Sequence, residues 1–145
     1  MTDTSSETYT KAYNQAIKYL SMRSHTVFEL RNKLLRKNFE KNIIAQVLKD
    51  LVETKYLNDR DFAHTFVQNL IKYKTFGYYG IKMKLRQRGI SDEIAEDVLG
   101  EELDHETEKK IAEKAISKSG KKDKEKLMMM LKRKGFRSIK IEMEE

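Results

Sequence analysis

Leu30-Arg-Asn-Lys-Leu34-Leu-Arg-Lys-Asn38-Phe39 is a pattern that this chain of 145 residues carries three times in different letters. It returns as Ile81-Lys-Met-Lys-Leu85-Arg-Gln-Arg-Gly89-Ile90 and as Leu127-Met-Met-Met-Leu131-Lys-Arg-Lys-Gly135-Phe136. Each version has an apolar residue, another four positions later, a basic cluster, an asparagine or glycine, and a large apolar residue. An apolar pair at that spacing marks one face of a helix. Asparagine or glycine just beyond it tolerates the left-handed backbone on which helices commonly end. One such match would describe many helix ends, but three at periods of 51 and 46 residues mark a tandem array.

The flanking sequence repeats as well. Before the first version, Tyr9, Ala12, Tyr13, Ala16, Ile17 and Leu20 are spaced as one face of a helix over about residues 8–22, and Ser24 or Thr26 can cap the helix that follows. After it, Ile43, Ile44, Val47, Leu48, Leu51 and Val52 line a third helix entered at Glu40. The trio then recurs. Asn58 or Asp59 caps a helix carrying Phe62, Ala63, Phe66, Val67, Leu70 and Ile71, and Ser91 caps one carrying Ile94, Ala95, Val98 and Leu99. A further helix with Ile111, Ala112, Ala115 and Ile116 ends at Gly120, ahead of the last middle helix. The expected fold is all-α: an elongated, curved array of three three-helix repeats. A flexible stretch at 1–7 is expected to precede a first repeat at 8–57, a second at 58–103 and a third, shortened one at 104–145.

Composition narrows the chemistry. With no cysteine there is no disulfide framework, thiolate nucleophile or Cys-zinc cluster. With no proline, no helix interior needs to break. The opening residues carry no apolar signal segment, and no run is apolar enough to cross a bilayer, so a soluble, cytoplasmic protein is expected. His25, His64 and His105 fall in different units without metal-ligand spacing, and each is expected on the surface or partly packed. Asp59 and Asp61 flank Arg60 at a helix start, where capping accounts for them better than acid–base work. No Gly-x-x-x-x-Gly-Lys-Ser/Thr loop is present to cradle phosphates. Neither enzyme activity nor a cofactor or metal is expected.

Charge is what remains. Thirty Lys and Arg against 23 Asp and Glu leave +7, which favours partners with negative surfaces, nucleic acid or acidic protein. The excess is local. Lys72, Lys74, Lys82, Lys84, Arg86 and Arg88 occupy 72–90 without one acid, whereas 91–108 holds nine acids and no base apart from His105. Residues 118–137 are basic again, with Lys132, Arg133 and Lys134 at the end of the third middle helix. Arg31, Lys33, Arg36 and Lys37 continue the pattern in the first. Units stacked alike would align these helices into a positive stripe; solvated faces with internal ion pairing are the other reading. Tyr78 and Tyr79 lie among these lysines, placed to stack on bases, to anchor a protein contact, or to close the core beside Phe76.

Four segments resemble the RecX family, bacterial regulators of the RecA recombinase. They are Ala16-Ile-Lys-Tyr-Leu20-Ser21-Met-Arg23-Ser24, Glu29-Leu30-Arg31-Asn32-Lys33-Leu34, Tyr56-Leu57-Asn58-Asp59-Arg60-Asp61-Phe62-Ala63, and Gly80-Ile81-Lys82-Met83-Lys84-Leu85-Arg86-Gln87-Arg88-Gly89-Ile90. The likeness covers roughly residues 12–100 and reaches the remainder through the repeat. The chain departs from the family in lacking a proline near Phe76-Gly77-Tyr78 and in its Met128-Met129-Met130 run. The resemblance implies a monomer that binds RecA and the groove of the RecA–DNA filament, with possible direct contact to DNA. Recombinase, ATPase and co-protease activities would be inhibited. The alternative is a sequence-independent nucleic-acid-binding repeat protein that does not act on RecA.

Overall fold

A computed structural model describes residues 4–138. Its helices are α1 (Thr4–Met22), α2 (Val27–Arg36), α3 (Lys41–Glu53), α4 (Asp59–Tyr73), α5 (Tyr78–Gln87), α6 (Asp92–Glu102), α7 (His105–Ser119) and α8 (Lys124–Arg133). No strand occurs among the described residues. α1 begins at Thr4, so residues 4–7, expected to lie outside the first repeat, are helical. Glu7 in the first turn suits the positive end of the helix dipole, and Thr10 Oγ1 donates to the Ser6 carbonyl. Residues 1–3 and the acidic end at Glu142, Glu144 and Glu145 lie outside the described residues.

The helix starts follow local chemistry. Thr26 forms a reciprocal cap on α2: its hydroxyl accepts the Glu29 N–H, and the Glu29 carboxylate accepts the Thr26 N–H. Asn58, not Asp59, caps α4, with Oδ1 accepting the Asp61 N–H at 3.1 Å. Ser91, Asp104 and Asp123 cap α6, α7 and α8 in the same way. A cap of this kind contributes about 1 kcal/mol.

The ends of the middle helices agree in atomic detail. Asn38, Gly89 and Gly135 have φ of 65°, 83° and 83°. After α2, Phe39 N–H reaches the Leu34 carbonyl and Asn38 N–H the Leu35 carbonyl; after α8, Phe136 reaches Leu131 and Gly135 reaches Lys132. This is the Schellman arrangement, which satisfies carbonyls that a helix end otherwise leaves open. The apolar pairs before these turns are the core. Leu30, Leu34, Ile81, Leu85 and Leu127 are fully buried, and Leu131 is nearly so.

Among the described residues two compact units emerge, one of residues 4–62 with 88–90 and one of 63–87 with 91–138. In the first, Ala12 and Ala16 let α1 approach α3 closely, around Leu30, Leu34, Ile44, Val47, Leu51 and Leu57. Thr26 Oγ1 donates to the Arg88 carbonyl at 2.6 Å, and Gly89 lies against the Phe28 side chain. The second unit carries the corresponding joint one repeat later. Gly77 N–H donates to the Lys134 carbonyl at 3.0 Å and Tyr79 N–H to the Gly135 carbonyl at 2.7 Å. Its core joins Ile81 and Leu85 to Val98, Leu99, Leu103, Ile111, Leu127 and Phe136. The methionine run divides: Met130 is buried, while Met128 and Met129 are exposed.

These turns make a testable contrast. A Cβ on Gly135 would stand 2.0 Å from the Gly80 nitrogen, and one on Gly89 2.2 Å from Phe28 Cβ, both on a left-handed backbone. Gly135→Ala and Gly89→Ala are therefore expected to lose more than the roughly 1–2 kcal/mol that the backbone conformation alone costs. Asn38→Gly removes a Cβ from the same conformation and should leave stability unchanged or raised. Urea denaturation of the three variants measures the ranking, and equal losses in all three would refute it.

Candidate nucleic-acid and partner interface

Helix periodicity puts Arg31, Arg36 and Lys37 of the first unit on the surface, all exposed. Lys33 is engaged internally. Its ammonium lies 2.8 Å from His25 Nε2 and 5.0 Å from the centre of the Tyr19 ring. An ammonium can only donate, so Nε2 accepts and Nδ1 carries the proton that bonds the Arg23 carbonyl at 3.0 Å. His25 is only 3% exposed, against the surface or partly packed setting expected of it. Burial lowers its pKa below the usual histidine value, helped by the charges of Arg23 and Lys33 and opposed by the Arg23 carbonyl.

Arg88 is pinned as well, its guanidinium 3.0 Å from Glu29, which also accepts Arg23 at 3.1 Å. Burial pushes the Glu29 carboxyl up, but the hydrogen bonds of Arg23, Thr26 and Arg88, with the Arg23 charge, outweigh it and hold the group below its ordinary value. Asp59 accepts the Val27 N–H at 2.9 Å, at the first turn of α2. There burial dominates and raises its pKa despite that bond.

In the second unit much of the positive charge is answered locally. Lys82 pairs with Glu96 at 2.8 Å, and Arg86 grips Asp92 with contacts of 3.1–3.2 Å. The acidic run that follows the basic middle helix in sequence thus folds back beside it. Lys84 and Lys134 stand over the Phe76 ring at 4.5 and 5.3 Å, and Lys134 also donates to Thr75 Oγ1. Lys72 lies over Tyr73 at 5.2 Å. Lys74, Lys132 and Arg133 are exposed.

The two tyrosines separate. Tyr78 is half-buried under the Arg137 guanidinium at 4.5 Å, and Tyr79 remains 58% exposed, edge-on to Tyr78. Tyr79, His105, Lys132 and Arg137 border an open depression of about 510 Å³ above Phe136. Basic side chains and an exposed aromatic ring thus border the same depression, the combination that stacks on bases.

Sequence reasoning missed what organises that face. Glu108 is 1% exposed and accepts Tyr78 N–H at 2.7 Å, Arg137 N–H at 3.1 Å and Arg137 Nε at 2.7 Å. Arg137 also donates to the Leu103 carbonyl. The signal was present: Glu108 occupies the step before Ile111, Ala112 and Ala115 on the buried face of α7, where an unpaired carboxylate would be costly. His64, by contrast, faces Glu101 and Glu102 at 3.2 and 2.9 Å. Among the described residues no three His, Asp or Glu side chains come together as a metal site. No helix there is long and apolar enough to cross a membrane.

Repeated three-helix modules with basic middle helices define an all-α helical-repeat protein. Residues 12–51 match the family described as RecX, first three-helix domain, and residues 58–99 match RecX, second three-helix domain. The regulatory protein RecX of Chlorobium limicola is 31% identical over 125 residues, which cover 83% of this chain and 79% of that protein. The one from Prosthecochloris aestuarii is 41% identical over 91 residues, covering 63% of this chain and 60% of its own length. Several streptococcal relatives are about twice as long as the part that matches. The crystal structure of RecX from Lactobacillus salivarius superposes with a TM-score of 0.82 at 26% identity, covering 91% of this chain and 90% of that one. This chain belongs to the RecX family of regulatory proteins.

Two measurements check the site. Glu108→Ala leaves Arg137 and the Tyr78 N–H without their acceptor and is expected to cost about 3–5 kcal/mol. Glu108→Gln, which keeps an acceptor oxygen, should lose less. A urea midpoint unmoved by the alanine variant would contradict this assignment. The second concerns pH. His25 is held neutral below its ordinary pKa, so the unfolded chain binds the proton more readily and stability falls as pH drops through 6.5 toward the folded value. His25→Gln should flatten melting temperature against pH between about 7.5 and 5.5, and an unchanged slope would reject it.

Proposed function

We propose that this chain restrains the RecA recombinase by docking on RecA and in the groove of the RecA–DNA filament, without catalysis of its own. The observation that carries this reading is the recurrence of exposed basic residues after the buried apolar pair of each middle helix: Arg36 and Lys37, Arg86, then Lys132 and Arg133. A tandem array suits a helical filament, because successive repeats can meet successive subunits and their contacts add through effective concentration. Family membership supports the regulatory part of the reading. Groove occupancy would hinder strand exchange and co-protease action, and would act on ATP turnover through the partner.

A second reading has its own support in the exposed Tyr79 beside Lys132: direct binding of nucleic acid without RecA. Phosphate contacts would give affinity that falls steeply with salt, and the ring a sequence-tolerant stacking platform.

Single-strand-dependent ATP hydrolysis by RecA, with the DNA saturated by RecA, separates them. Stoichiometric amounts of this chain are expected to inhibit it, and turnover that stays unchanged would sink the filament reading. Lys82, Arg86 and Arg88 are poor probes because reversing them also breaks internal pairs. Lys132→Glu with Arg133→Glu should weaken inhibition while helical content and melting stay as they were. Tight, salt-sensitive binding to bare single-stranded DNA without effect on RecA would favour the second reading.

A further inference from the structure

The first unit carries a surface feature that the basic helices do not explain. Between α2 and α3 runs an open groove of about 760 Å³. Val27 and Leu35 form one wall, eight residues apart, which is roughly 12 Å along the helix axis. Ile44 and Leu48 form the floor, 2% and 4% exposed, and Val52 stands open at 47%. Ala45, small and exposed, lowers the α3 wall midway and admits a close backbone approach.

The rim has a sign. Arg31, Lys41 and Lys49 are exposed along it, with Glu53 the acid at one end. That distribution chooses among occupants. A second copy of this chain seated groove to groove would bring three cations of each rim together with one acid, Glu53, to offset them, which disfavours self-association. A nucleic-acid strand would meet the cations but leave the apolar floor without a partner. A helix with an apolar stripe and acidic flanks satisfies both the floor and the rim, in the helix-in-groove manner.

From this geometry we infer that the α2–α3 groove of the first unit is a docking site for an amphipathic, acidic helix of a partner protein. Leucine-like side chains at i, i+4 and i+7 seat on Leu35, Ile44, Leu48 and Val52. Flanking glutamates or aspartates meet Arg31, Lys41 and Lys49. This contact is separate from the basic surface of the middle-helix ends and does not depend on it.

The test uses the full chain and a fluorescent peptide of about 15 residues, long enough to be helical, with leucines at those positions and glutamates beside them. A companion peptide carries lysines in place of the glutamates. Fluorescence anisotropy is expected to detect the acidic peptide, with binding that weakens as salt rises. Val52→Glu, at an exposed position, and Lys49→Glu, on the rim, are each expected to weaken it about tenfold or more with circular dichroism unchanged. The variant with both Arg31→Glu and Lys49→Glu should instead prefer the lysine peptide.

Equal affinity for the two peptides, or affinity untouched by Val52→Glu and Lys49→Glu, would overturn the proposal. So would sedimentation showing a dimer that Val52→Glu dissolves, because the groove would then belong to a second copy. Preference for anionic vesicles or single-stranded DNA over the acidic peptide, lost in Val52→Glu, would also reject it.

Discussion

The backbone contact between the start of α5 and the turn after α8 is the constraint on which the second unit rests. Gly77 and Tyr79 give their N–H groups to the carbonyls of Lys134 and Gly135. Backbone can approach backbone that closely only where no Cβ intervenes. A side chain on Gly77 would sit 2.3 Å from the Phe136 Cα, and one on Gly80 would sit 2.2 Å from the Lys134 oxygen. Glu108 completes the arrangement by taking the next N–H, that of Tyr78, and by fixing Arg137. The Tyr79 ring stays exposed beside Lys132.

The first unit solves the same problem with different letters. Thr26 stands where Gly77 stands and bonds the Arg88 carbonyl through its hydroxyl, while Asp59 takes the Val27 N–H as Glu108 takes that of Tyr78. In both cases a carboxylate at the start of a repeat's first helix satisfies the open N-terminus of the preceding middle helix. The two acids differ in setting. Glu108 is matched by a guanidinium, whereas burial leaves Asp59 with a raised pKa and only partial compensation from the Val27 N–H. The two joints thus share a hydrogen-bond geometry while the residues that build them differ.

Charge tells a related story. A basic stretch followed by nine acids reads as two opposed surfaces, yet α5 and α6 pack against each other and pair Lys82 with Glu96 and Arg86 with Asp92. Exposed pairs of this kind add little stability. Their effect is to answer much of the positive charge of α5 locally, while Lys74, Lys132 and Arg133 of the same unit stay exposed. The positive charge left unpaired on the second unit is thereby smaller than the net charge suggests.

Helix number, the cap at Ser91, the left-handed turns at Asn38, Gly89 and Gly135, and the buried pairs were legible because they depend on local propensity and on a periodicity of a few residues. The choice of Thr26 and Asn58 and the caps at Asp104 and Asp123 came from the structure. RecX family membership was legible too, carried by motifs such as Tyr56-Leu57-Asn58-Asp59. The engagement of Lys33 by His25, of Arg88 by Glu29 and of Arg137 by Glu108 was not, since each joins residues 8, 59 and 29 positions apart. Neither was the division of labour between Tyr78 and Tyr79. By itself the sequence determined which residues make helices, where those helices stop and which faces are apolar. Only the tertiary structure decided which charges are consumed internally and which remain exposed, because ion pairing and burial depend on distances that chain order does not encode.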